Sequence, residues 1–116
     1  MTRGSQRLGT RGEDRAAAWY VAQGYRVLAR NWRCREGEID LICARGDTVV
    51  VCEVKTRSSL AYGHPAEAVT PAKRRRLRVL ASRWLAEAPL DRRPAVVRFD
   101  VAAVLPSSVD VIESAF

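Results

Sequence analysis

A chain of 116 residues, 47% of them hydrophobic, fits one domain with a single core and is too apolar for a disordered polyelectrolyte. A net charge of +7 favours a polyanionic partner, nucleic acid ahead of an acidic membrane surface; the plain alternative is a soluble protein that is merely basic. No apolar run approaches the ~20 residues of a membrane span, and Cys34, Cys43 and Cys52, with the lone His64 and no CxxC spacing, make a poor zinc site.

In chain order, residues 1–7 read as a loose basic tail without the apolar stretch of a secretory signal, and 8–116 as one domain. Leu8 to Gln23 has helical periodicity and is closed by Gly24. Its inward stripe is Ala16, Ala17 and Tyr20, and i−4 steps carry that line back through Glu13 and Gly9. Tyr25 to Asn31 alternates as a strand. Asn31 to Arg35 then leads to Gly37, and Glu38 to Ala44 forms a second strand. Arg45-Gly46 signals a tight turn, and Thr48 to Lys55 returns as a β run. Cys43 and Cys52 alternate with charged residues and read as small core residues, which suits a reducing, cytoplasmic setting. A loop from Ser58 to Val69 precedes Thr70-Pro71, a helix start with Thr at the N-cap and Pro at N1. That helix runs to about Ala88 on a stripe of Leu77, Leu80, Ala81, Trp84, Leu85 and Ala88, with Lys73 on the same inward line. Ala95 to Val104 is another strand and Val109 to Ile112 a short last one. The order α-β-β-β-α-β, with helices on a mixed sheet, is that of an α/β domain.

Charge interrupts the second and third strands, at Asp40, Glu53 and Lys55. With an even loop centred on Arg45-Gly46, residues whose numbers sum to 91 face each other. Asp40 then opposes Val51 and Glu38 opposes Glu53. Alternation puts Glu38, Asp40, Glu53 and Lys55 on one side, with Asp40 and Glu53 diagonal neighbours about 7–8 Å apart. An odd loop would reverse one strand and undo the convergence.

Such a face suits phosphodiester hydrolysis. Magnesium or manganese held by carboxylates can activate water and neutralise phosphoryl charge. Asp40 and Glu53 supply hard oxygen ligands, and the backbone carbonyl of Val54 can supply a third. Lys55 can orient the water or stabilise developing charge. Glu13 can complete the shell, and Lys73 can meet a phosphate near its helix N-terminus. Lysine is scarce here: of 20 basic residues only Lys55 and Lys73 are lysine, which hints that a compact ammonium is needed at both. The plain readings stand beside these. Glu53 and Lys55 can be an ordinary ion pair, Glu13 can be a residue favoured near a helix start, and Arg74, Arg75, Arg76 and Arg78 can be a solvated face rather than a phosphate-binding one. Asp100 reads as a structural carboxylate beside a basic group, and His64 as a loop residue.

Taken together, Gly12-Glu13, Gly24-Tyr25, Asn31 with Arg33, Gly37-Glu38-Ile39-Asp40-Leu41-Ile42, Glu53-Val54-Lys55-Thr56-Arg57, Gly63, Lys73 and Phe99-Asp100-Val101 resemble the YraN family of predicted endonucleases, from about Leu8 to Val104. That family is placed in the PD-(D/E)XK nuclease superfamily, near archaeal Holliday-junction resolvases. The resemblance implies a restriction-endonuclease-like core, a mixed central β-sheet flanked by helices. It implies magnesium-dependent cleavage of DNA by Asp40, Glu53 and Lys55, with Glu13 as the helix-borne acid. The proline of the superfamily name is absent, since Ile39 precedes Asp40.

The expectation is therefore a metal-dependent endonuclease acting on DNA, branched or structured DNA included. Lys73, Arg74, Arg75, Arg78 and Arg57 are its nucleic-acid contacts. A homodimer is compatible with action on two strands, and no membrane partner is expected. The alternatives are a nucleic-acid-binding module that keeps the fold without cutting, and a protein-interaction domain.

Overall fold

A computed structural model describes residues 3–59, 61 and 63–116. Helix α1 spans Arg3–Ala22, followed by strands β1 (Arg26–Cys34), β2 (Gly37–Arg45) and β3 (Thr48–Thr56), helix α2 (Pro71–Glu87) and strands β4 (Val96–Leu105) and β5 (Ser108–Ile112). The helix start was expected at Leu8, but residues 3–7 continue the helical backbone; Met1 and Thr2 of the expected tail lie outside the described residues. Gly24, at φ +90°, closes α1 in the left-handed conformation that favours glycine. Thr70 accepts a hydrogen bond from the Lys73 amide at 3.2 Å, and Pro71 opens α2.

The strands form one sheet in the order β1-β2-β3-β4-β5, with β3 and β4 parallel and the other neighbours antiparallel. The fold is α/β, a mixed central sheet flanked by helices that matches a restriction-endonuclease-like core. Alternate side chains of the central strands feed two cores, because successive residues of a strand point to opposite faces. Ile42, Ala44, Val49, Val51 and Val101 pack with Leu77, Leu80, Ala81 and Trp84 of α2. Leu41, Cys43, Val50, Cys52, Ala102 and Val104 pack with Ala16, Ala17 and Tyr20 of α1. Cys43 and Cys52 are buried core residues as expected, and burial pushes the Cys43 thiol up to about 12. Among the described residues no helix is long and apolar enough to cross a membrane.

Two strand details depart from expectation. β1 extends three residues past Asn31, because Trp32, Arg33 and Cys34 find backbone partners in Ile39, Glu38 and Gly37 of β2. Polar Arg33 hid this pairing, which the neighbouring strand supplies rather than local propensity. The β2–β3 register also differs. Arg45 pairs with Thr48 and Leu41 with Cys52, so facing numbers sum to 93, not 91. The two-residue loop is Gly46-Asp47, with Gly46 at φ +57°, because the hairpin turns that match strand twist want a positive φ at the first loop position. A shift of two preserves the expected alternation of faces along the paired stretch, Leu41 to Arg45 against Thr48 to Cys52. It changes who meets whom: Asp40, not Glu38, is aligned with Glu53.

Candidate metal centre

The β2–β3 ladder ends at Leu41↔Cys52. Beyond it β2 stays with β1 as far as Gly37, while β3 stays with β4 as far as Thr56. The sheet thus forks, and Asp40 and Glu53 are the first residues past the last pair. At the fork a side chain takes over from the ladder: the Val54 amide donates to Asp40 Oδ2 at 2.9 Å.

Both helices reach this fork from opposite sides of the sheet. α1 comes so close to β3 that a Cβ on Gly12 would lie 2.1 Å from Thr56 Oγ1. Glycine fits there without displacing the Thr56 side chain, and the approach carries the neighbouring Glu13 to the site. Glu13, Glu38 and Asp40 each offer an oxygen, all within 4.8 Å of one another. From the other side, the first turn of α2 brings Lys73, whose Nζ lies 2.6 Å from Glu53 Oε1. Lys55 Nζ lies 3.4 Å from that same oxygen. Gly37, Glu38, Asp40, Glu53, Lys73 and Arg76 line a cleft of about 190 Å³.

The charges in this cleft are unevenly compensated. Glu53, only 6% exposed, has both lysines. Glu38 has Arg33 at 2.6 Å, and Glu13 has Arg30 at 3.9 Å. Among the described residues Asp40 has no ion-pair partner, and the Val54 amide donates to it. Burial first, then the negative charge of Glu53, pushes its carboxyl up to about 7. The Val54 hydrogen bond opposes this; Glu13, and a hydrogen bond shared with Glu38, add to it. Burial pulls the Lys73 ammonium down, but its hydrogen bond to Glu53 and that group's charge outweigh burial and hold it up. A carboxyl poised near neutrality among other carboxylates is what a hard divalent cation would relieve, and oxygen is the donor that magnesium and manganese prefer. The residues present therefore fit such an ion.

Glu13, Asp40, Glu53, Lys55 and Lys73, singled out from the sequence, all reach the fork. Glu38 was placed on this face but left out of the ligand set; its two-residue spacing from Asp40 was the signal. Val54 contributes its amide to Asp40, a contact different from the carbonyl ligand expected of it. Arg57 is exposed and donates to the Thr56 carbonyl. Arg74 donates to the Val69 carbonyl. Among the described residues Arg74, Arg75, Arg76 and Arg78 make no ion pair, whereas Arg83, further along α2, pairs with Glu36 and Glu87. His64 pairs with Asp110 at 2.9 Å. Asp100 is the structural carboxylate expected: fully buried, it takes Arg98 through both oxygens, with Tyr20 at 2.6 Å and the Ser114 amide at 3.0 Å.

Comparison with known proteins agrees in extent with this architecture. Residues 12–104 match the family described as "Uncharacterised protein family UPF0102". A UPF0102 protein of Clavibacter michiganensis subsp. michiganensis is 53% identical over 120 residues, covering 99% of each chain. One from Parafrankia sp. (strain EAN1pec) is 57% identical over 100 residues, 86% of this chain and 83% of its own. One from Frankia casuarinae is 50% identical over 119 residues, 98% of this chain and 99% of its own. The chain belongs to the UPF0102 family, which is the YraN family that its motifs resemble.

Proposed function

We propose that this UPF0102 chain is a cytoplasmic, metal-dependent endonuclease that hydrolyses phosphodiester bonds in DNA, branched or structured DNA included. The observation that carries the reading is the convergence, at one strand fork, of Glu13, Glu38, Asp40 and Glu53 with two lysines, around a carboxyl held near neutrality. Asp40, Glu13 and Glu38 would hold Mg2+ or Mn2+, and Glu53 and the Val54 carbonyl are the remaining ligands assigned. When bound, the cation supplies charge neutralisation at the phosphoryl oxygens and a water of lowered pKa.

The chain's own groups do the rest. Lys55 donates to the attacking water or to developing charge from beside Glu53. Lys73 sits in the first turn of α2, where the helix N-terminus also favours phosphate, and trades its hydrogen bond to Glu53 for one to the substrate. Arg57, Arg74, Arg75 and Arg78 hold the backbone on either side. The three free thiols, two of them buried, suit a reducing compartment.

A second reading, a nucleic-acid-binding module that does not cut, draws support from one contact: the two lysines both lie against one oxygen of Glu53, neutralising a ligand. Incubation of purified protein with branched, single-stranded and duplex DNA plus magnesium or manganese separates the two. Cleavage that falls by ~10²-fold or more in Asp40→Ala and Glu53→Ala is expected. Lys55→Arg should still bind Mn2+ but cut ~10²-fold more slowly, because a planar guanidinium cannot replace a compact ammonium. Salt-sensitive binding with no cleavage of any substrate would favour the second reading.

A further inference from the structure

The N-terminal half of α2 carries an oddity that the metal centre does not use. Phe99 of β4 and Phe116 stack with ring centroids 5.3 Å apart. Over them lie two arginines of α2: the Arg78 guanidinium is 5.6 Å from the Phe99 centroid and 5.5 Å from that of Phe116, and Arg74 is 5.5 Å from Phe116. The segment bearing Phe116 is fastened in place. The Ala115 amide donates to the Phe99 carbonyl at 2.8 Å and the Ser114 amide to buried Asp100 at 3.0 Å. Ser114 adopts φ +51°, a left-handed conformation that turns the segment back over β4.

We infer that Phe99 and Phe116 are positioning residues, an aromatic floor that presets Arg74 and Arg78 as a binding track for consecutive phosphates of one nucleic-acid strand. This rests on the nuclease reading for its choice of polyanion. Two guanidinium groups lie over one ring with no carboxylate partner among the described residues. Each gains from the ring quadrupole, but they repel each other until an anion arrives. Residues four apart on a helix stand roughly 5–6 Å from each other, a spacing of the order of that between neighbouring phosphates of a strand. A flexible arginine loses side-chain freedom on binding, whereas one already held on a ring has less to lose. The track adjoins the cleft, because Lys73 and Arg76 on the same two turns line it. A strand cut at the fork therefore leaves it over this ridge. The opposite end of α2 shows the contrast: Arg83 is neutralised by Glu36 and Glu87 and is no part of the track.

The test measures binding of labelled single-stranded and duplex oligonucleotides in EDTA across a salt series, with Mn2+ affinity measured separately. Phe116→Ala and Phe116→Leu should each weaken binding about 3- to 10-fold, as loss of one cation–π anchor per arginine implies. The slope of log K against log salt should fall by about one, as loss of one phosphate contact implies. Phe116→Leu keeps the apolar packing and removes the ring, so a fold-preserving leucine that binds like wild type would overturn the inference. Mn2+ affinity should not change. Arg78→Ala should give the same slope change, and Arg83→Ala none. Wild-type protein that prefers acidic vesicles or acidic peptides to DNA would overturn it as well. Cleavage lost in Asp40→Ala with an unaltered slope in Phe116→Leu would leave the nuclease reading standing and this one refuted. A slope that follows the ring, with no cleavage under any metal, would do the reverse.

Discussion

Asp100 and Asp40 lie on the same sheet, one fully buried and one half-buried, and their surroundings could hardly differ more. Asp100 is fully buried, yet every demand of its charge is met: a two-pronged Arg98, the Tyr20 hydroxyl and the Ser114 amide. Its counter-charge is built into the chain, and the Arg98 guanidinium is in turn held further up by that hydrogen bonding. Asp40 is less buried but has one backbone donor and three other acids around it. What separates the two carboxylates is whether the protein supplies the compensating positive charge. At the fork Asp40 has no ion-pair partner among the described residues.

The largest effect expected from breaking this contrast falls on Asp100. Asp100→Ala takes from Arg98 its two-pronged partner, leaving it Glu113 and the Tyr25 hydroxyl, strands the Tyr20 hydroxyl and the Ser114 amide, and should cost about 3–5 kcal/mol in urea denaturation, as removal of one member of a buried pair does. Asp40→Asn should act in the opposite sense. The folded carboxyl titrates near 7 instead of 3.8, so between those values the native state binds more protons than the unfolded chain. Metal-free stability should therefore decline as pH rises through that window and level off above it, while Asp40→Asn stays flat. At pH 8 in EDTA the variant should be the more stable protein, by at least about 1 kcal/mol. Saturating Mg2+ should abolish the wild-type decline, and thermal melts from pH 4 to 8 with and without the ion read all three. An Asp40→Asn protein no more stable than wild type at pH 8 would show that the fork is compensated internally, like Asp100.

The smallest effect concerns how the fork is assembled. Gly12→Ala gains up to about 1 kcal/mol in helix propensity, but its methyl collides with Thr56. We expect a net loss of about 1 kcal/mol from overpacking together with weaker Mn2+ binding, as α1 retreats and takes Glu13 with it. Thr56→Ala in the same chain should restore both. Restored stability without restored Mn2+ affinity would remove Glu13 from the cation's surroundings.

Much of this was legible in the sequence because it depends on periodicity. The helix stripe through Glu13, Ala16 and Tyr20 and the capping signal at Thr70-Pro71 follow from local pattern, and the shared face of Asp40, Glu53 and Lys55 follows from side-chain direction once the loop between their strands is even. The parts that were hidden depend on pairing. The turn centre was misplaced because Arg45-Gly46 and Gly46-Asp47 are both plausible loops around one glycine, and only cross-strand packing chooses between them. Trp32 to Cys34 read as a connection because their partners lie on another strand. Glu38 was expected opposite Glu53, a repulsive pair unless a cation, a basic side chain or a proton lies between them; in the structure it pairs with Arg33 and offers an oxygen beside Glu13 and Asp40. The aromatic floor under Arg74 and Arg78 was invisible for the same reason, since nothing local links Phe116 to a helix forty residues earlier.

The hydrogen bond from the Val54 amide to Asp40 also bears on how faithfully the hairpin forms. In the register two residues away, Asp40 would face Val51, and the chain would carry its carboxylate into the apolar middle of the hairpin with no amide waiting for it. Mispairing by two residues costs nothing in hydrophobic alternation, so the apolar pattern alone cannot forbid it. The acid forbids it instead, because a buried polar group without a partner is penalised. The residue proposed to gather the cation thus also favours the alignment in which the Val54 amide meets it.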